Sequence, residues 1–266
     1  MNRQEQEFYM IDYLIKEGLS EIDPSVVQVG GGREFLLTAL LNARNPYILP
    51  SDEFLDVQND YLQNTLIDYG LKFFEDLESA GEMFEDIYIG FENIAAFKCD
   101  FLVNEACRTF IGCPVPYHDC TDNWIHTFAG FQLKYECQHI LDERGGKMRI
   151  GDIAVTYSYN LFCNKIIHVV GPVVYSPLSP YRQTAEKKLA KLYENCLICA
   201  DENSAENIVF PCLSTGYKLF PPERSIKIAI DSFIRYKSRT GSKLKIALTS
   251  NDSIIYDAMK KVFKEY

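Results

Sequence analysis

Cys113, His118 and Cys120 fall within one short, turn-rich segment, GCPVPYHDCTDNWIH, which runs from Gly112 to His126. Two thiols and an imidazole in this Cys-x4-His-x-Cys spacing are soft sulfur and nitrogen donors, and among common cellular metals that set favours zinc. A structural zinc takes four protein ligands, and no fourth is adjacent at the usual spacing. Three protein ligands with one position left for water or substrate is the arrangement of a catalytic zinc. The same spacing also admits a plain cysteine-containing loop with an exposed histidine. Of the other histidines, His126 sits in an Ile-His-Thr helical turn and is expected to pack or hydrogen-bond. His139 reads as a solvated helix residue, and His168, inside IIHVV, reads as a core histidine.

A second segment has the composition of an anion site. PCLSTGYKLFPPE, Pro211 to Glu223, follows the apolar run NIVF and precedes a helix opening at Pro222. In Ser214-Thr215-Gly216 the glycine lets the backbone approach a ligand closely. Successive N–H groups of such a turn can cradle an anion without any lysine. Taken alone, the turn is also consistent with an ordinary connection. The triple glycine of VQVGGGREF matches neither glycine-rich phosphate motif and reads as a flexible turn.

The elements that must hold these loops are readable from periodicity. β-rich runs (DIYIG, DFLVN, DIAVTY, KIIHVV, NIVFPCL, KLKIALT) appear from about Asp86 onward, many separated by helical stretches. Helices are expected over Asn123–Leu141, Gln183–Ala200 and Pro222–Tyr236, and in the final NDSIIYDAMKKVFKEY, which opens with capping residues. Strands alternating with helices imply an α/β layer sandwich, whose ligands bind at loops beyond the strand ends. The first eighty or so residues read as helical, with a helix start at Ser51. This divides the chain into a helical N-terminal extension, 1–80, and an α/β domain, 81–266.

Composition narrows the function classes. A chain of 266 residues, 47% hydrophobic, has ample apolar material for a core. The net charge of −10 argues against a protein that neutralises nucleic-acid phosphates by bulk charge. The N-terminus has no apolar signal core, and no run approaches membrane-spanning length. Nine cysteines without a secretion signal suggest a reducing cytosol, with free thiols or metal ligands. Cys99, Cys163, Cys196, Cys199 and Cys212 are expected in the core. A monomeric, cytoplasmic protein without nucleic-acid or membrane partners is the resulting expectation.

Taken together, these segments resemble the macrodomains, and more closely their zinc-dependent branch of microbial protein-ADP-ribose hydrolases. IAAFKCDFLVNEAC resembles the strand leading into the family's Asn-Ala-Ala-Asn turn, and GCPVPYHDCTDNWIHTFAG the branch's zinc loop. KIIHVVGP resembles the central signature, LYENCLICA the helix after it, and IVFPCLSTGYKLFPPERSIKIAI the phosphate loop and its helix. The N-terminal LLNARNP and YLQNTL are similar to the branch's extension. The resemblance implies a three-layer α/β/α fold with a mixed central sheet.

The resemblance also implies roles. Ser214, Thr215, Gly216 and Tyr217 would wrap the diphosphate of ADP-ribose, with Phe220 near the distal ribose. Asn93 and Ile94 would lie at the adenine, Asn104 would contact the ribose, and Gly112 would allow close backbone approach. Cys113, His118 and Cys120 would bind Zn2+, and Asp122 would take the place of the family's acidic catalytic residue. The implied reaction removes ADP-ribose from mono-ADP-ribosylated protein side chains, with zinc and Asp122 acting at the distal ribose. A non-catalytic ADP-ribose reader with a structural zinc, and a zinc-stabilised interaction domain, are the alternatives. Two departures bear on the choice. The family's Gly-Asp-Ile reads Glu92-Asn93-Ile94, and its Asn-Ala-Ala-Asn turn reads Asn104-Glu105-Ala106-Cys107, which admits Cys107 as a fourth metal ligand.

Overall fold

A computed structural model of the chain describes residues 1–23, 32–80, 83–116, 118–174 and 182–266. The triple glycine lies outside them except for Gly32, which opens a helix.

The apolar runs pair into one seven-stranded sheet. In chain order its strands are β1 (Met83–Phe84), β2 (Ile87–Phe91), β3 (Cys99–Glu105), β4 (Ile153–Tyr157), β5 (Cys163–Val169), β6 (Asn207–Pro211) and β7 (Lys245–Ser250). Their spatial order is β1-β2-β7-β6-β3-β5-β4. The five inner strands are parallel, and β1 and β4 run antiparallel at the edges. This is the expected mixed sheet. Inner strands such as NIVFP are covered on both faces, so they read as continuous apolar runs without alternation.

Helices cover both faces. On one lie α1 (Arg3–Lys16), α2 (Gly32–Asn42), α3 (Asp52–Tyr69), α4 (Phe74–Ala80), α5 (Thr121–Ala129) and α6 (Phe131–Glu143); on the other lie α7 (Arg182–Glu202), α8 (Pro222–Thr240) and α9 (Ser253–Phe263). The expected caps form: Ser51 accepts the N–H of Phe54 at 3.3 Å, and Asp252 accepts that of Ile254 at 2.8 Å. The single helix expected over Asn123–Leu141 is two helices, because Gly130 between them adopts φ +89° and ends the first. A Cβ at Gly130 would meet the Gln58 amide at 2.6 Å, so the kink is also a close-packed crossing.

The helical extension is not peripheral. Met10, Leu14, Phe54, Tyr61 and Leu62 are buried in the same core as Phe97 and Leu102 of the sheet side. At about 1.5–3 kcal/mol for each large apolar side chain buried, this face is a principal source of stability. The cysteines are free thiols, and Cys199 is half-buried where Cys99, Cys163, Cys196 and Cys212 are core residues. Among the described residues no helix is long and apolar enough to cross a membrane.

Candidate functional site

Parallel strands end together, and the candidate residues gather at their C-terminal ends. The end of β3 pairs with β5, Asn104 opposite His168 and Glu105 opposite Val169. Successive strand residues point to opposite faces. Asn104 therefore reaches toward α5, and Glu105 toward the loop after β6.

Asn104 is fully buried. Its Nδ2 donates to Asp122 Oδ1 at 2.7 Å and to His168 Nδ1 at 3.1 Å. Asn104 thus stands behind Asp122 and holds it, away from the open surface. Asp122, in the first turn of α5, is 5% exposed, and its Oδ2 has no partner among the described residues. Burial pushes its carboxyl up to about 7, against the pull of the Asn104 hydrogen bond. The charges of Cys113 and Glu105 push the same carboxyl up, and that of Lys218 pulls it down. His126, one turn along α5, brings Nε2 to 3.5 Å from Asp122 Oδ1. Burial holds its imidazole well below the ordinary pKa, so the two form no ion pair. Gly112 lies against the same ring, where a Cβ would come within 3.2 Å of it.

Cys113, His118 and Cys120 come together as expected, their ligand atoms all within 4.8 Å of one another. Tetrahedral zinc with bonds of about 2.0–2.3 Å needs ligand separations a little under 4 Å, so small adjustments suffice. The loop is clipped to the helix by Asn123, whose Nδ2 donates to the carbonyls of Val115 at 2.6 Å and His118 at 2.7 Å. The hydrogen bond from Cys120 holds the Cys113 thiol down, and Cys120 is pushed up in turn. Two sulfurs and an imidazole at this spacing fit a soft divalent ion, whose binding would displace the remaining thiol proton. Cys107 is not within this group; its thiol meets Thr109 Oγ1 at 2.7 Å and the Gly112 carbonyl at 3.3 Å.

A second group, His126, Cys137 and His168, is also compact and fully buried. It is a poor metal site. His168 Nδ1 accepts from Asn104, which puts the ring proton on Nε2, facing Thr156 Oγ1 at 2.9 Å. Both nitrogens are engaged, so His168 is the satisfied core histidine the sequence suggested.

The loop after β6 is held at many points. Tyr193 Oη accepts the N–H of Leu213 at 3.0 Å, Ser225 Oγ donates to the Leu213 carbonyl at 2.6 Å, and Thr215 Oγ1 donates to that of Cys212 at 2.8 Å. Ser214 is buried, Thr215 is half-buried, and Gly216 and Tyr217 are exposed. The N–H groups of Thr215, Gly216 and Tyr217 have no partner among the described residues. Successive N–H groups of this kind are the donors from which an anion cradle can be built.

The remaining expected residues are more deeply set. Ile94 is 5% and Phe220 1% exposed, and both are core side chains. Asn93 is half-buried, and its Oδ1 accepts the N–H of Ala95 at 3.0 Å, capping a short 3-10 turn. A cavity of about 390 Å³ opens behind the metal-type loop, between α3 and α5, with Tyr61, Tyr69, Trp124 and His118 in its wall. None of the residues of the loop after β6 lines it.

Residues the sequence did not single out also build the site. Glu105 appeared only as a departure from the turn pattern, and Lys218 and Arg44 not at all. The available signal was a charged residue ending a strand that is buried on both faces.

The Macro domain family profile matches residues 103–229. A Treponema medium protein named protein-ADP-ribose hydrolase is 33% identical over 263 residues, 97% of this chain and 99% of its own length. One of the same name from Staphylococcus aureus strain COL is 34% identical over 232 residues, 86% of this chain and 83% of its own. Among solved structures, the Oceanobacillus iheyensis macrodomain with ADP aligns at TM-score 0.60 and 24% identity, over 67% of this chain and 90% of that one. The Trypanosoma brucei macrodomain in complex with ADP aligns at TM-score 0.62 and 20% identity, over 85% and 96%. These last two likenesses speak for the fold, and the first two, along most of the chain, for descent. The chain belongs to the macrodomain family of protein-ADP-ribose hydrolases.

Proposed function

We propose that this protein hydrolyses the bond between ADP-ribose and the side chain of a mono-ADP-ribosylated protein, with zinc held by Cys113, His118 and Cys120. The observation that carries this reading is the position of Asp122. Its buried carboxylate feels both Cys113 of the three-ligand soft-metal group and Lys218 of the loop after β6, a loop in which three successive N–H groups have no partner among the described residues.

The bond to be cut joins the anomeric carbon to a side-chain oxygen or nitrogen, and its cleavage builds oxocarbenium-like charge on the ribose. Thr215, Gly216 and Tyr217 would donate their N–H groups to the diphosphate and so fix the distal ribose. Asn104 holds Asp122 through Oδ1 and leaves Oδ2 to orient the attacking water and take its proton. The water adds to the anomeric carbon, and the side-chain atom leaves with the bonding pair and gains a proton. When bound, the metal supplies Lewis-acid polarisation of an oxygen at the sugar and water activation near neutral pH.

The test is release of labelled ADP-ribose from a mono-ADP-ribosylated protein, with and without a chelator. Metal-dependent release is expected. Tight binding of ADP-ribose without release would make the protein a reader.

A further inference from the structure

The carboxylate of Glu105 ties both ends of the diphosphate-type loop to the sheet. At the near end, Ser214 donates its N–H to Oε1 at 2.9 Å and Oε2 at 2.8 Å, and its hydroxyl to Oε1 at 3.2 Å. At the far end, Lys218 Nζ donates to the same Oε1 at 2.9 Å and lies 3.5 Å from the Ala106 carbonyl. Lys218 is 3% exposed. A buried ammonium without its carboxylate is strongly unfavourable, so the pair stays together.

Two further observations indicate that the loop is held under constraint. Ser214 adopts φ +67°, a left-handed backbone that side chains other than glycine seldom take. Such a conformation persists where the surroundings over-determine it, as the three contacts from Ser214 to one carboxylate do. Gly171, after β5, packs directly onto the contact. A Cβ there would stand 2.3 Å from Glu105 Oε1 and 2.4 Å from Ser214 Oγ.

The arrangement partitions the loop's donors. Ser214 spends its N–H on Glu105, and the N–H groups of the next three residues have no partner among the described residues. We propose that Glu105, clamped by Lys218, is the positioning residue that sets the N–H groups of Thr215, Gly216 and Tyr217 to receive the diphosphate. This rests on the function proposed above. The acidic residue is this chain's own departure from the family's Asn-Ala-Ala-Asn turn, and it pairs with a lysine on the loop it braces.

The sign of one substitution separates positioning from simple electrostatics. Glu105→Gln removes a negative charge and leaves Lys218 uncompensated beside the diphosphate. If only charge mattered, ADP-ribose would bind more tightly. Positioning requires the opposite, a Kd raised about tenfold or more, with faster hydrogen exchange at the Thr215–Tyr217 amides. The measurement is calorimetry with ADP-ribose at a temperature where thermal unfolding shows the variant folded. Should Glu105→Gln not fold, the double variant Glu105→Ala/Lys218→Met removes both charges, and it too should bind weakly. Unchanged or tighter binding by a folded variant overturns the proposal. No binding by the unsubstituted protein would instead overturn the ADP-ribose reading itself.

Discussion

The guanidinium of Arg44 donates to the main-chain carbonyl of His126 at 2.9 Å, so the N-terminal helical segment grips the helix that carries Asp122. The same group also donates to the carbonyls of Leu41 and Gly130 and lies 5.3 Å from the centre of the Phe131 ring. Burial draws its pKa down to about 9, which leaves it charged at neutral pH. A cation at the C-terminal carbonyls of a helix complements its dipole. Arg44→Met takes the donor from the buried Leu41 and Gly130 carbonyls, while that of His126 keeps the Gly130 N–H, a loss of about 2–4 kcal/mol. Urea unfolding should register it as a lower midpoint.

Removal of one metal donor should abolish metal binding without unfolding the chain. The loop is held independently by Asn123 and by the Cys120–Trp124 start of α5. Cys113→Ser or His118→Ala is expected to bring zinc from about one ion per chain to near none by elemental analysis, with an unchanged circular dichroism spectrum.

Asp122→Asn keeps an oxygen for Asn104 and removes the proton acceptor. Hydrolysis should fall by about 10²-fold or more, while ADP-ribose binding measured by calorimetry stays within a few-fold. Full activity in this variant would assign the general base elsewhere.

At Gly216 a Cβ would meet nothing within 4 Å. Gly216→Val should therefore leave the melting temperature nearly unchanged and obstruct only a ligand lying on the loop. Loss of ADP-ribose binding in a stable protein is the expected result, and retained affinity would place the diphosphate elsewhere.

Glu186 gives a pH dependence remote from the site. Hydrogen bonds from Arg224 and then Arg182 hold its carboxyl at about 2, below the ordinary 4.5. In the window between those values the unfolded chain binds more protons than the folded one. The stabilisation is therefore complete above about 4.5 and disappears as pH falls toward about 2. Glu186→Gln should lower the urea midpoint at pH 7, and the gap from the parent protein should narrow at pH 3.

The sequence by itself determined the layer architecture and the two candidate loops. Apolar strands and helical periodicity are local properties, as is the close spacing of Cys113, His118 and Cys120. Helix starts at Ser51 and Asp252 were legible for the same reason, since a cap involves only a few neighbouring residues. Only the tertiary structure decided which residues meet across the sheet. Glu105 and Ser214 are 109 positions apart, and Arg44 and His126 are 82. Strand pairing places Asn104 beside His168 and turns its neighbour Glu105 to the opposite face, so one residue holds Asp122 and the next holds the loop after β6. Burial, a property of the folded chain, then sets how each of these groups holds its proton.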